Sequence, residues 1–240
     1  TTDPSESART PEGRSTSTGG TVFRVDEVGG KIETSIFGPR RFEGPDAERP
    51  GDAERPADAE RLTVSMLVER SSNGKSKITL DGVDHEVGEG EWSPWYRLSF
   101  DMSALVKVHA ITRVKVLSST PFALYLDFLQ IDPSSPPFWQ PVSEPVGFSR
   151  ELARATGTPF ETVGWACLTM PFKDKEIEPR TFLEDIDATR AGREKLFAEE
   201  IAKSSWRLFM AVESTPDRVQ HMMYQFYDRQ HPKYDAAAAQ

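Results

Sequence analysis

The feature of this sequence that most constrains its fold is a series of short apolar segments between residues 21 and 131. In the clearest of them, Leu62, Val64, Met66 and Val68 alternate with polar neighbours. Successive side chains of a strand point to opposite faces, so this alternation predicts a strand with one buried face. The other predicted strands span residues 22–28, 32–37, 77–80, 84–87, 96–100, 110–117 and 122–131. Because Asp81-Gly82 is typical of a tight hairpin turn, region 21–131 is predicted to be mainly antiparallel β.

Two segments beside these strands are predicted to stay outside any core. Residues 1–20 are mostly Ser, Thr, Gly, Pro and charged residues, which offer too little apolar surface to offset the entropy of ordering, so a disordered lead-in is expected. Residues 44–61 repeat Asp-Ala-Glu-Arg-Pro with a period of six residues, and the prolines prevent a continuous helix. This repeat is interpreted as a solvated linker.

The pattern changes after the proline-rich stretch at residues 132–137. Residues 149–157 predict a short helix with Ser149 as its cap and Gly157 as its stop, and residues 182–186 and 191–204 predict two more. The apolar run 206–212 is too short for a helix and predicts a buried strand. Helix, buried strand and helix in succession favour an α/β arrangement, so residues 132–240 are predicted to form a partial α/β segment.

Asp217 and His221 are the leading functional candidates, because residues four apart lie on one face of a helix. In open α/β sheets, ligands bind beyond the carboxyl ends of strands, and Asp217 follows the predicted strand 206–212 by a few residues. A carboxylate and an imidazole converging there suit one divalent cation. The alternative from spacing alone is an acidic residue at a helix start beside a surface histidine. Asp81 and His85 have the same spacing, but Gly82 lies between them in a predicted turn.

Composition excludes several classes of function. The net charge is −9, and no cluster of Lys and Arg is present to neutralise a nucleic-acid backbone or an anionic membrane. No apolar run approaches the ~20 residues of a membrane span. The single cysteine, Cys167, excludes an internal disulfide framework and a cysteine-rich zinc finger, and is compatible with a reducing compartment. The chain starts at Thr1, so an N-terminal signal outside it stays open.

A family resemblance lies in the stretch 215–224, which reads Thr-Pro-Asp-Arg-Val-Gln-His-Met-Met-Tyr. Asp228, His231-Pro232 and Tyr234-Asp235 follow it. The stretch resembles the type I phosphodiesterase/nucleotide pyrophosphatase proteins of the alkaline phosphatase superfamily, which have a similar Thr-Asp-Arg-Val-Gln-His-Met segment. Weaker similarity extends back through Glu91-Trp92-Ser93 and the stretch 131–145. The resemblance covers residues from about 60 to 235.

The resemblance implies a two-metal hydrolase of phosphate esters or nucleotide-like substrates, with a Thr or Ser nucleophile and two cations, usually zinc. Asp217 and His221 match ligands of one cation, and Arg218 beside them becomes a candidate substrate contact. The family's nucleophile segment and its remaining metal ligands have no counterpart among these residues. The chain is therefore expected to be a piece of a longer enzyme with an alkaline-phosphatase-like segment, and to have little or no turnover alone.

One alternative is a β-rich binding module without catalysis, using the tryptophans Trp92, Trp95 and Trp139 as a surface aromatic patch. Another is a degenerate piece without activity. His109 is predicted to be a strand residue with a local hydrogen bond. For His231 the favoured interpretation is that it caps or orients the loop after the last helix, and the alternative is that it supports the metal ligands. Cys167 is predicted to be an inert buried thiol.

Overall fold

The computed structural model describes residues 13–15, 21–40, 61–71, 74–163, 168–203, 205–234 and 236. The predicted disorder of residues 1–20 and the repeat at residues 44–61 therefore lie almost wholly outside the described residues. The exceptions are Arg61, which starts a strand, and β1 (Gly13–Ser15), which pairs with β2 (Thr21–Phe23). For the rest of residues 1–20 the predicted disorder stays a prediction.

The described residues divide into two compact units. One comprises Phe23–Asp132 and the other comprises Gly13–Val22 with Pro133–Gln240. The first unit contains nearly all the strands, and the second contains all the helices described. We call the first the β unit and the second the helical unit.

The main sheet of the β unit has four antiparallel strands in the order β3-β4-β5-β6. Their bounds are β3 Lys31–Arg40, β4 Arg61–Arg70, β5 Lys75–Leu80 and β6 Val83–Gly88. Val68 lies between Ile32 of β3 and Ile78 of β5 in the register, and all three side chains are buried. Full burial of such an aliphatic side chain contributes about 1.5–3 kcal/mol, so the alternation seen in the sequence produces the core.

The turn between β5 and β6 confirms the prediction at Asp81-Gly82. Both residues have positive φ, 48° at Asp81 and 77° at Gly82, and Leu80 pairs with Val83 across the turn. Two successive positive φ values are the requirement of the hairpin turns that match strand twist. The Asp81 carboxylate also accepts a hydrogen bond from the Ser99 backbone N–H at 2.8 Å, which fixes the turn.

The remaining strands form two smaller antiparallel sheets. One has the order β11-β8-β7, from β7 Tyr96–Asp101, β8 Lys107–Thr112 and β11 Gln130–Ile131; the other pairs β9 Val114–Ser119 with β10 Phe122–Leu126. The predictions of single strands over 110–117 and 122–131 are therefore wrong in extent. Arg113 separates β8 from β9, so the chain passes from one sheet to the other at this residue.

The helical unit contains α1 Phe148–Thr156, α2 Thr169–Lys173, α3 Pro179–Ile201 and α4 Thr215–Tyr227. Gly157 ends α1 in a left-handed conformation with φ of 68°, as predicted. The predicted cap Ser149 lies inside α1, however, and Gly147 occupies the cap position. The helices predicted at 182–186 and 191–204 belong to one continuous helix, α3, because residues 187–190 between them contain neither Pro nor Gly.

The predicted strand at residues 206–212 is wrong. Described residues of this stretch form no ladder, and Leu208, Met210 and Val212 are 75%, 81% and 81% exposed. Within 133–163, 168–203 and 205–234 the structure contains helices without a strand, so the partial α/β arrangement predicted for 132–240 is not formed there. The chain is α+β in the general sense, with antiparallel sheets and helices segregated along the sequence.

Candidate metal-binding site on helix α4

Helix α4 carries the candidate ligands and starts from a hydrogen-bonded turn. The Glu213 carboxylate accepts hydrogen bonds from the backbone N–H of Thr215, at 2.8 Å, and from its hydroxyl. Ser214 makes no side-chain cap, so Glu213 satisfies an N–H that the start of a helix leaves without a partner. Arg193 reaches the same turn, donating to the Ser214 hydroxyl at 2.6 Å.

The charge state of Glu213 reflects this environment. Partial burial acts to raise the pKa of Glu213, but the hydrogen bonds from Thr215 and the nearby Arg193 guanidinium hold the pKa below its usual range. The carboxylate therefore stays ionised near neutral pH, which favours the start of α4 because negative charge stabilises a helix N-terminus.

Asp217 and His221 converge as the spacing predicts. Oδ1 of Asp217 lies 3.5 Å from Nε2 of His221, and both side chains are 62% exposed. Asp217 is in the first turn of α4 and His221 one turn later. The pair is open to solvent, so a cation can approach it without any rearrangement of the helix.

The surroundings of the pair supply no third ligand among the described residues. In the part of the chain that the structure describes, no three or more His, Cys, Asp or Glu side chains are grouped so that they could hold a metal ion. The placement beyond a strand end, expected from segment 206–212, is also not available because no strand forms there. Of the predicted site, the described residues therefore show the convergence of Asp217 and His221 but neither a third ligand nor a strand end.

His231 and Asp228, downstream of α4, make local contacts. Nδ1 of His231 accepts a hydrogen bond from the Lys233 backbone N–H at 3.1 Å, and its ring meets Tyr224 edge-on with centroids 6.0 Å apart. Asp228 accepts from the Gln230 backbone N–H at 2.9 Å. These contacts give His231 the loop-orienting position expected for it.

Arg218 lies inside the helical unit. Its side chain is fully buried, and Nη2 lies 3.1 Å from Oδ2 of Asp185 on α3, which is itself 2% exposed. The guanidinium also lies 5.9 Å from the ring centroid of Phe182. A contact with substrate at the surface was predicted for Arg218, whereas the structure directs its side chain towards α3.

The other candidates from the sequence have structural surroundings. His109 Nδ1 lies 3.0 Å from the Ser99 hydroxyl across strands β7 and β8, which confirms the prediction of a strand histidine with a local hydrogen bond. His85 packs on Tyr96, with centroids 4.6 Å apart, while Asp81 lies in the turn. Asp81 and His85 therefore do not share a helix face. Cys167 lies outside the described residues.

The predicted aromatic patch is divided between the units. Trp92 and Trp95 belong to the β unit and flank the Arg113 guanidinium, whose Cζ lies 4.3 and 5.1 Å from their ring centroids. Trp139 belongs to the helical unit, where it meets Phe138 edge-on at 4.8 Å. The Arg113 guanidinium thus lies over one face of each of the first two rings.

Sequence reasoning missed two buried ion pairs that the described residues form, Arg113 with Asp127 and Arg218 with Asp185. For Arg113 a signal was present, because it interrupts the apolar run 110–117. For Arg218 no local signal exists, since its partner lies 33 positions away in the sequence.

Comparison with protein-family models, with curated proteins and with solved structures finds no match to this chain. None of the helices in the described part of the chain combines the length and apolarity needed to cross a membrane.

Proposed function

We propose that this chain is part of a metal-dependent phosphodiesterase/nucleotide pyrophosphatase-like hydrolase, and that Asp217 and His221 hold one of its cations. The substrate class is a phosphate ester or a nucleotide-like molecule. The cation is zinc by preference, with a second ion in the complete site of the family that the sequence resembles. The proposal includes an alkaline-phosphatase-like fold for the complete enzyme.

The observation that carries this proposal is the separation of 3.5 Å between Oδ1 of Asp217 and Nε2 of His221. Two ligand atoms about 2.1 Å from one tetrahedral ion lie roughly 3.4 Å apart, so the two atoms reach a shared zinc with little movement. Carboxylate oxygen and imidazole nitrogen are both zinc ligands. The exposure of both side chains leaves room for the phosphate oxygen and for further ligands.

The bound cation would polarise a phosphoryl oxygen and stabilise the charge that develops on the attacking and leaving oxygens. Asp217 and His221 contribute ligand atoms and the orientation that α4 imposes on them. Two protein ligands are fewer than the three of a typical catalytic zinc site. The chain alone is therefore expected to bind zinc weakly and to show little or no turnover.

Isothermal titration with Zn²⁺ and Mn²⁺ tests the site. The wild type should bind, and Asp217→Asn and His221→Ala should each weaken binding at least about tenfold, because each removes one of two ligands. His231→Ala is the matched control, since it removes an imidazole that is engaged with Lys233. Equal binding by the wild type and His221→Ala would show that Asp217 and His221 form only a surface ion pair.

A further inference from the structure

The packed face of helix α4 combines a charged side chain with apolar ones. Only Thr215 and Arg218 of its 13 residues are buried. A helix on the surface of a globular protein usually buries an apolar stripe, which fixes its rotation about its own axis. On α4, Val219, Met222 and Phe226 form such a stripe but are only half-buried, and the deepest side chain on this face is the Arg218 guanidinium.

The contacts of Arg218 suit it to orienting α4. One nitrogen, Nη2, is 3.1 Å from Asp185 of α3, while Nε and Nη1 are inaccessible and have no hydrogen-bond partner among the described residues. A buried ion pair recovers little more than its desolvation cost, and its best-attested use is to select one arrangement over others. The pair of Arg218 with Asp185 is therefore better suited to orienting α4 than to stabilising it.

Helical geometry connects this pair to the candidate ligands. At about 100° per residue, Asp217 lies roughly 100° to one side of Arg218, and His221, three residues on, lies roughly 60° to the same side. With Arg218 directed into the unit, both ligands project from one flank of α4, where they are 62% exposed. A rotation of α4 by a similar angle would carry Asp217 and His221 away from this flank.

We propose that Arg218 is a positioning residue: by pairing with Asp185 it sets the rotation of α4 and so holds Asp217 and His221 on the solvent-facing flank, open to a cation. The importance of Asp217 and His221 in this inference rests on the proposed function, but the orientation of α4 can be measured without metal.

The test compares orientation and metal affinity in the full chain. In a Cys167→Ser background, nitroxide labels are placed at the exposed positions Ala188 of α3 and Gln220 of α4, and their distance distribution is measured by pulsed electron paramagnetic resonance. The double variant Arg218→Met/Asp185→Leu should keep its melting temperature, because apolar replacement of a buried ion pair is often neutral or stabilising. Its distance distribution should shift or broaden by several Å.

Zinc affinity is measured on the same proteins without labels. It should fall at least about tenfold in the double variant, a loss comparable to that seen when support around a metal ligand is removed. The charge-exchanged variant Arg218→Asp/Asp185→Arg should restore part of both the distance distribution and the affinity. Arg190→Met/Glu194→Gln, which removes an exposed ion pair of α3, should change neither.

Each outcome decides one of the two proposals. An unchanged distance distribution in the double variant overturns the positioning role of Arg218. If the distribution changes but the wild type and His221→Ala bind zinc equally, the metal site is wrong and the orienting role stands. Should the double variant fail to fold, Arg218→Lys gives the same comparison, because Lys keeps the charge but lacks the planar fork of donors.

Discussion

Nε of Arg113 lies 3.1 Å from Oδ2 of Asp127 within the β unit, and the two side chains are only 9% and 1% exposed. Trp92 and Trp95 flank the guanidinium, so the cation is enclosed by a carboxylate and two aromatic rings. The backbone reinforces the contact, since the Asp127 N–H donates to the Arg113 carbonyl at 2.9 Å. The pair thus lies where the chain passes from β8 to β9.

Removing one partner of this pair should be costly. Arg113→Met removes the guanidinium from beside the buried Asp127 carboxylate, and breaking a buried ion pair in this way typically costs about 3–5 kcal/mol. The free energy of unfolding from urea denaturation should fall by that amount. Arg113→Met/Asp127→Leu should recover most of the loss, because it removes both charges. A single variant as stable as the wild type would show that the pair does not stabilise the β unit.

Because the Tyr96 hydroxyl is buried, the folded protein should lose stability at high pH. Its hydroxyl donates to the Ile78 carbonyl at 2.8 Å, and burial, reinforced by the negative charge of Asp84, raises the pKa of Tyr96 well above its usual range. Because the folded state keeps this proton more tightly than the unfolded state, the stabilisation is complete below about pH 10 and is lost as pH rises further.

The corresponding variant is Tyr96→Phe. It should cost about 1 kcal/mol at pH 7, because the Ile78 carbonyl loses its donor. Its stability should then decline less steeply than that of the wild type between about pH 10 and 12. Urea denaturation at several pH values measures both effects. Parallel stability profiles for the two proteins would contradict the assigned pKa direction.

Two glycines should respond in opposite ways to alanine. A Cβ at Gly38 in β3 would overlap the ring of Phe100, a core residue only 1% exposed. Such overpacking typically costs about 1–3 kcal/mol. At Gly192 in α3 a Cβ meets nothing within 4 Å, and alanine in a helix interior is favoured over glycine by about 1 kcal/mol. Thermal denaturation should show a lower melting temperature for Gly38→Ala and a higher one for Gly192→Ala.

The β unit was predictable because its information is local. The alternation of Leu62, Val64, Met66 and Val68 predicts which face is buried, and Asp81-Gly82 predicts the turn that sets the register of β5 and β6. The break at Arg113 was less predictable, since an arginine is buried only when a distant carboxylate such as Asp127 accompanies it.

The helical unit shows the limit of local patterns. Helical spacing correctly predicts that Asp217 and His221 meet, because that geometry depends on the helix alone. The apolar run 206–212 satisfies the composition of a buried strand, but a strand needs a neighbouring strand for its backbone hydrogen bonds. Nothing in the run itself encodes that neighbour. The burial of Arg218 likewise depends on Asp185, far away in the sequence.

Segment 206–212 provides a prediction that separates exposed from packed apolar residues. Phe209 lies near Phe197 and Trp206, with ring centroids 6.4 and 6.1 Å apart, whereas Leu208 is 75% exposed. Leu208→Ala should change the free energy of unfolding by less than about 0.5 kcal/mol, as surface substitutions do. Phe209→Ala should cost at least about 1 kcal/mol, because it removes an aromatic contact with α3.

The same two variants separate this arrangement from a buried strand. A buried strand would make Leu208→Ala cost about 2–5 kcal/mol, the usual result for a core leucine. Urea denaturation of Leu208→Ala and Phe209→Ala side by side therefore decides whether the segment is exposed in solution. A large loss at Leu208 would mean that this side chain is buried in solution, contrary to the exposure described above.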